Sequence, residues 1–115
     1  MTYVDLFVAA APDAAKADYV EHIKIAGRVF KDHGALRVVD CWGDDVPDGK
    51  LTSFPMAVKK EAGETVVFGW IEWPSRAARD AGMKNAMEDS RLTGVAMPFD
   101  GRRMIFGGFE VLADS

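Results

Sequence analysis

Residues 65–73 constrain the fold of this chain more than any other segment. They read Thr-Val-Val-Phe-Gly-Trp-Ile-Glu-Trp, and a short run of β-branched and aromatic residues predicts a strand. Successive side chains of a strand point to opposite faces of its sheet. Two apolar sets result, Val67, Gly69, Ile71 and Trp73 on one face and Val66, Phe68 and Trp70 on the other. The sheet that contains this strand is therefore predicted to be buried on both sides.

The other segments predict a β-α-β-β-α-β order. Strands are expected at residues 3–9, 36–42 and 103–112, and an extended arm at 51–59, where Pro55 argues against a central strand. One helix is expected from an Asp13 N-cap to Gly34, and a second from a Ser75 cap to about residue 89. This split βαβ plan predicts an α+β, ferredoxin-like domain over residues 1–115, with a four-stranded antiparallel sheet and two helices on one face.

The face without helices predicts a partner. The first and last strands also alternate between two apolar sets, so the open face is apolar across the sheet. A patch of that extent is a liability on a monomer, and a second copy packed sheet against sheet would cover it. The alternative is a monomer in which the arm at 51–59 and the late loop cover the face. Of the two, the apolar pattern favours a homodimer.

Composition excludes several classes of function. The 115 residues carry a net charge of -4 and contain no run of Lys or Arg, which argues against nucleic acid as a partner. No apolar stretch reaches the roughly 18 residues that a membrane span needs, and the N-terminus lacks the basic region of a signal peptide. Cys41 is the only cysteine. We therefore expect a cytoplasmic protein without disulfides or membrane association.

The usual catalytic motifs are absent. His22 and His33 have no further ligand at a metal-binding spacing, so no metal site is predicted. The Asp-rich loop at 44–49 lacks the carboxylates that a calcium loop needs, and its aspartates are typical turn formers. No nucleophile elbow or phosphate-binding glycine motif is present, so no cofactor is predicted.

Tryptophan and charged residues at strand ends are the remaining candidates for a site. They suit a cleft between helices and sheet, with aromatic walls and a few polar groups, that takes a small organic ligand. The candidate ligand-binding residues are Asp40, Trp42, Asp44, Asp45, Trp70, Trp73, Arg76, Asp80, Arg91, Asp100 and Arg103. The competing interpretation is that these Asp and Arg side chains form ion pairs that hold loops in place.

Four motifs give the chain a resemblance to a known family. They are Tyr-Val-Asp-x-Phe-Val from residue 3, Trp-Gly-Asp-Asp-Val-Pro-Asp-Gly-Lys from 42, Trp-Pro-Ser-Arg from 73, and Pro-Phe-Asp-Gly-Arg-Arg-Met-Ile from 98. Together they span nearly the whole chain, and they resemble the YbaA-like family of uncharacterised bacterial proteins. The resemblance implies a ferredoxin-like fold of the dimeric α/β-barrel type.

The resemblance leaves the function open. An acidic residue commonly precedes the first tryptophan in that family, where this chain has Cys41, and Asp40 is the nearest carboxylate. Proteins of the dimeric α/β-barrel type include cofactor-free monooxygenases, haem-degrading enzymes and lactone isomerases, but a fold does not determine a function. Two hypotheses follow, a protein that binds or transforms a small molecule and a non-catalytic interaction or regulatory module.

Overall fold

A computed structural model describes residues 2–115, which form four strands and three α-helices. In chain order these are β1 (Tyr3–Pro12), α1 (Lys16–Asp32), β2 (Arg37–Trp42), α2 (Phe54–Ala57), β3 (Glu64–Trp73), α3 (Arg76–Met87) and β4 (Ile105–Glu110). Short 3-10 turns at Asp13–Ala15 and Gly101–Arg103 precede α1 and β4.

The strands form one antiparallel sheet in the order β2-β3-β1-β4. The two central strands, β1 and β3, pair along their whole lengths, from Tyr3 opposite Trp73 to Pro12 opposite Glu64. Helix α1 packs against β2, and α3 packs against β3 and α1. The prediction of an α+β, ferredoxin-like fold is confirmed.

The helices bury one face of the sheet. Tyr19 and Val29 of α1 are buried, and the indole of Trp73 is fully buried beneath α3. Tyr19 packs on Ala9 and Val67 in the middle of the sheet. Because these residues come from α1, β1 and β3, the main core lies between helices and sheet.

Helix α2 is the main difference from the prediction, which treated residues 51–59 as extended. Ser53 begins the helix, since its hydroxyl accepts a hydrogen bond from the Met56 amide at 3.1 Å. Pro55 stands in the first turn, where its missing N–H removes no helical hydrogen bond. The arm therefore coils into one helical turn instead of lying straight.

The arm covers one end of the open face. Val58, which follows α2, is fully buried and packs with Val8, Ala10 and Val66. The other end remains a hollow of about 320 Å³, whose apolar lining is Val4, Leu6, Phe68, Trp70 and Val111. Part of the face is thus covered within the chain, as the monomer hypothesis required, and part is not.

The start of α1 also differs from the prediction. Asp13 was expected to cap the helix, but the helix begins at Lys16 with Ala15 at its N-cap and no side-chain cap. The Asp13 carboxylate instead accepts a hydrogen bond from the Thr65 hydroxyl. This follows from the length of β1, which continues beside β3 as far as Pro12. Ser75 does cap α3, accepting from the Ala78 amide at 3.1 Å.

Candidate functional site

The predicted site residues lie in several places rather than in one cleft. Asp40 and Trp42 share the helix-facing side of β2, Trp73 is in the core, and Trp70 is on the open face. The remaining ones lie on α3, in loops or at the start of β4, and comprise Asp44, Asp45, Arg76, Asp80, Arg91, Asp100 and Arg103.

Asp40 lies beside a glycine of the neighbouring strand, which has no side chain to fill the space next to it. The register places it beside Gly69 of β3, and Phe7 of β1 lies on the other side of Gly69. A Cβ atom built on Gly69 would be 2.8 Å from the Asp40 Oδ1 atom and would collide with the Phe7 ring. The carboxylate therefore occupies, with that ring, the space that the glycine leaves open.

The Asp40 carboxylate has no hydrogen bond or ion pair with any group in residues 2–115. Burial raises its pKa to about 6, because a charged carboxylate is disfavoured away from water. Near neutral pH the group is therefore a carboxylate that a small change in its surroundings would protonate. Strongly shifted groups of this kind are concentrated at functional sites.

A groove of about 370 Å³ runs between α1 and β2 and includes Asp40. Its apolar lining consists of Ile23, Gly27 and Val38. Gly27 has no side chain to fill the groove, and a Cβ atom there would meet nothing closer than Val38 at 3.9 Å. Lys24, Arg28 and Lys31 of α1 complete the lining. The groove therefore has apolar walls, one carboxylate from Asp40, and a cationic rim formed by Lys24, Arg28 and Lys31.

Trp42 is the next side chain after Asp40 on the helix-facing side of β2, and Tyr19 of α1 packs against it. Their ring centroids are 5.8 Å apart, and Lys16 Nζ lies 4.9 Å from the Trp42 ring centroid. The Tyr19 hydroxyl is buried and has no hydrogen-bond partner in the described part of the chain. Burial raises the pKa of Tyr19, and the nearby Asp40 carboxylate raises it further. No pattern in the sequence marks the Tyr19 hydroxyl.

His22 is half-buried on α1, and burial lowers its pKa. It does not line the groove that contains Asp40. Among residues 2–115, no hydrogen bond or ion pair joins His22 to Asp40.

Trp73 belongs to a closed polar network under α3. Its indole Nε1 donates to Asp5 at 3.0 Å, and Arg79 Nε donates to the same carboxylate at 3.1 Å. The Arg79 guanidinium also lies 4.9 Å from the ring centroid of Tyr3. Every charged group in this network has a partner, so its evident role is to fix α3 on β1. Sequence reasoning missed Asp5 and Arg79 as a pair because they are far apart along the chain.

Arg76 and Asp80 lie on the exposed side of α3. They are one helical turn apart, and their closest N–O distance is 3.9 Å. Asp80 also receives a hydrogen bond from Arg79 Nη1 at 2.9 Å. Exposed pairs of this kind contribute little to stability, and neither residue borders the groove.

Arg91 joins the ends of α1 and α3. It donates to Asp89 at 2.8 Å and to Asp32 at 2.9 Å, and Asp89 also contacts His33 Nε2 at 2.9 Å. The hydrogen bonds from Arg91 and His33 hold the pKa of Asp89 well below its ordinary value. This cluster fixes the segment that leaves α3.

Arg103 and Asp100 anchor the start of β4. The Arg103 guanidinium forms a bidentate pair with Glu64, at 2.8 and 2.7 Å, and donates to the Lys59 carbonyl at 2.9 Å. Hydrogen bonds from Arg102 and Arg103 lower the pKa of Asp100 to about 2. Asp100 also caps the 3-10 turn through the Arg102 amide. These contacts tie β4, β3 and the arm together.

The last three predicted residues lie away from the groove. Trp70 faces the open-face hollow, where its Nε1 donates to Glu72 at 2.9 Å. Asp44 and Asp45 are exposed in the loop after β2. In residues 2–115 no three His, Cys, Asp or Glu side chains are close enough to hold a metal ion. No helix in that range is both long and apolar enough to cross a membrane.

Comparison with known proteins places the chain within a family. A family model described as "Protein of unknown function (DUF1428)" matches residues 2–101. The uncharacterised protein YbaA of Escherichia coli K12 is 54% identical over 116 residues, which covers 99% of both chains. YbaA of Shigella flexneri matches to the same extent. The resemblance to the YbaA-like family is therefore confirmed.

A solved structure shares the fold. A dimeric ferredoxin-like protein from an uncultured marine organism superposes with a TM-score of 0.62 over 99% of this chain and 98% of that one. The two sequences are 11% identical. At that level the likeness supports the architecture, and the site rests on the geometry of Asp40 and its groove.

Proposed function

The chain belongs to the DUF1428 family, and we propose that it acts as a homodimeric protein that binds a small organic molecule between α1 and the sheet. Asp40 would accept a hydrogen bond or a proton from that molecule. One observation carries the proposal: the Asp40 carboxylate is partly buried, has no hydrogen-bond or ion-pair partner in residues 2–115, and lines a groove.

A partly buried carboxylate without a partner, such as Asp40, lowers the free energy of unfolding. A buried charge without a partner destabilises the folded state, and proteins ordinarily pair it or replace it. Two other partly buried charges, Arg79 and Arg103, do have partners, in Asp5 and Glu64. An unpaired carboxylate with a pKa of about 6 suits a group that exchanges a hydrogen bond or a proton with a ligand.

Thermal-shift screening tests the proposal. Purified protein is heated with quinones, haem and aromatic acids, each at about 1 mM, because a ligand that binds the native state raises the unfolding temperature. A ligand that stabilises the wild type should stabilise Asp40→Asn much less. The matched control, Asp45→Asn, alters an exposed aspartate outside the groove and should respond as the wild type does.

Two results would contradict the proposal. The first is that no compound of these classes shifts the unfolding temperature. The second is that Asp40→Asn responds to every stabilising compound as strongly as the wild type does.

The homodimer rests on the open face. Trp70, Phe68 and Leu6 line its uncovered hollow, and the side chain of Phe109 on the same face is 54% exposed. A second copy has the same apolar surface, so an isologous pairing would cover both. The dimeric protein from the marine organism, which shares the fold, supports this assembly. Light scattering after size exclusion should give twice the chain mass of 12.6 kDa, and a mass of one chain at micromolar concentration would contradict it.

The proposed setting is the cytoplasm. Cys41 is exposed on β2 without a cysteine partner in the chain, and free exposed thiols persist in reducing compartments. The net charge of -4 supports the expectation that nucleic acid is not a partner.

An interaction or regulatory module without chemistry is the second candidate. The observation that favours it is that Asp5, Asp100 and Arg103 of the family motifs are held in ion pairs within the chain. The Asp40→Asn comparison separates the two candidates, because a module without a ligand gives no shift that depends on Asp40.

A further inference from the structure

Arg28 differs from every other arginine of the chain. The others lie within 3.9 Å of a carboxylate, namely Arg37, Arg76, Arg79, Arg91, Arg102 and Arg103. Arg28 has no such partner in residues 2–115, and its side chain lines the groove that contains Asp40. Arg28 is exposed, so its guanidinium is free to meet an anion that enters the groove.

Two lysines extend this positive surface. Lys24 lies four residues before Arg28 and Lys31 three residues after it, so all three lie on one side of α1. None of the three pairs with an acidic group among the described residues, and all line the same groove. Three cations of α1 therefore lie along the helix side of the groove.

The groove has apolar groups in its lining besides the charged ones. Ile23, Gly27 and Val38 share the lining with the cations of α1 and with Asp40 of β2. The depression is open to solvent and measures about 370 Å³, which is room for a molecule of about one ring. Because the cations come from the helix and the carboxylate from the strand, the two sides of the groove favour different ends of a ligand.

We propose that the ligand is a small organic anion with a hydroxyl or similar donor at its far end. Its carboxylate pairs with Arg28, assisted by Lys24 and Lys31, its apolar body lies on Val38, and its donor points to Asp40. This inference rests on the proposed function and adds the chemical class and the orientation of the molecule.

Charge determines that orientation. Arginine binds a carboxylate through two parallel hydrogen bonds, which is the strongest recognition that the rim offers. The Asp40 carboxylate repels a second negative charge, so the anionic group must stay at the rim. A hydroxyl at the other end of the ligand would donate a hydrogen bond to Asp40.

A pair of aromatic compounds of similar size, one anionic and one neutral, tests the inference. Para-hydroxybenzoate and its methyl ester share the ring and the hydroxyl, but only the acid carries a negative charge at neutral pH. Calorimetric titration of the intact protein should show that the acid binds about tenfold more tightly than the ester. The difference should shrink when salt is raised from about 50 mM to about 300 mM, because the rim is exposed to screening.

Arg28→Ala should remove most of that difference by weakening the acid about tenfold and leaving the ester unchanged. The matched control is Arg102→Ala, which removes the same charge from an exposed site before β4, outside the groove. It should leave both affinities unchanged. Circular dichroism confirms that both variants are folded.

The outcomes separate this inference from the proposed function. Equal affinity for acid and ester, or an Arg28→Ala effect of the same size on both, overturns the anion inference and leaves the groove a ligand site. Failure of both compounds to bind the wild type at millimolar concentration overturns the anion inference. If Asp40-dependent thermal shifts are also absent, the proposed function fails with it.

Discussion

Asp40 shows how the properties of one residue depend on neighbours that are distant along the chain. Its position before Cys41 and Trp42 made it a candidate in the sequence. Its isolation comes from the register of β2, which places it beside Gly69 and close to Phe7. Strand periodicity predicts which face a side chain occupies, but it does not predict which residue of the next strand lies opposite.

Asp40 should make the stability of the protein fall as pH rises from about 4 to 6. The pKa of the group rises from 3.8 to about 6 on folding. Between these values the folded state binds more protons than the unfolded state, so the free energy of unfolding decreases with pH. Asp40→Asn should then raise the free energy of unfolding by about 1–2 kcal/mol near pH 7.5 and change it little near pH 4.

Urea unfolding at the two pH values measures this effect. Asp45→Asn, which alters an exposed aspartate, should show no such pH dependence. If Asp40→Asn destabilises the protein equally at both pH values, the raised pKa is wrong.

Asp5 should be among the most sensitive charged residues of the chain. Its carboxylate accepts hydrogen bonds from Trp73 Nε1 and Arg79 Nε. Asp5→Ala would leave both donors without that acceptor in a largely buried site, which should lower the free energy of unfolding by about 3–5 kcal/mol. Asp80→Ala removes a contact with the same guanidinium from a side chain that is 56% exposed, and should lower it by less than about 1 kcal/mol. Denaturant unfolding compares the two, and equal effects would show that Arg79 does not depend on Asp5.

The candidate site could be predicted from the sequence only in part. Asp40 and Trp42 were identified from the sequence and share a face of β2. The groove, the Tyr19 hydroxyl and the unpaired Arg28 were not, because each depends on what other segments place nearby. A cation on an exposed helix face has no sequence signal that separates it from an ordinary solvated one.

At the scale of elements, the two long helices approach the sheet differently. Gly82 of α3 is buried against the Trp73 ring and the His33 carbonyl, and a Cβ atom would collide with both. Gly27 of α1 has Val38 at 3.9 Å as its nearest such neighbour. The glycine in α3 thus permits close packing, whereas the glycine in α1 leaves the groove open.

Alanine at these two positions should have opposite effects. Gly27→Ala should raise the free energy of unfolding by up to about 1 kcal/mol, because alanine favours a helix and nothing obstructs its methyl group. Gly82→Ala should lower it by about 1–3 kcal/mol, since the collision with Trp73 outweighs the gain in helix propensity. Thermal and urea unfolding of the two variants check the signs. A stabilising Gly82→Ala would contradict the packing of α3.

Most elements were predictable because their signals are local. The alternation in β3, the Ser75 cap and the turn at Gly34 each lie within a few residues, and each is present. The arm was predicted wrongly because Pro55 excludes a central strand and also suits the first turn of a helix. Contact of Val58 with β1 and β3 favours the helix, and such contacts are not visible in the sequence.

At the scale of the whole molecule, the open face should control assembly. Leu6 lines the uncovered hollow, so Leu6→Lys places a charge in the surface that the second copy would cover. At about 10 µM we expect this variant to shift from dimer to monomer, since an unpaired charge in an interface is strongly unfavourable. Met87→Lys changes a side chain that is 50% exposed on α3, on the opposite side of the sheet, and should remain dimeric. Light scattering measures both masses, and an unchanged mass for Leu6→Lys would place any interface elsewhere.

The packing of Val58 over one end of the open face has a geometric consequence for such a pair. Because Val58 of the arm covers Val8, Ala10 and Val66, the half of the central strands lined by Leu6, Phe68 and Trp70 is the part of those strands that is free to meet a copy of itself. An isologous contact contains its own two-fold axis. If that half forms the contact, the axis passes through it and therefore lies off the centre of the sheet. The arms of the two subunits would then lie on opposite sides of the contact. The arm would in this way set the alignment of the two subunits without forming the centre of their contact.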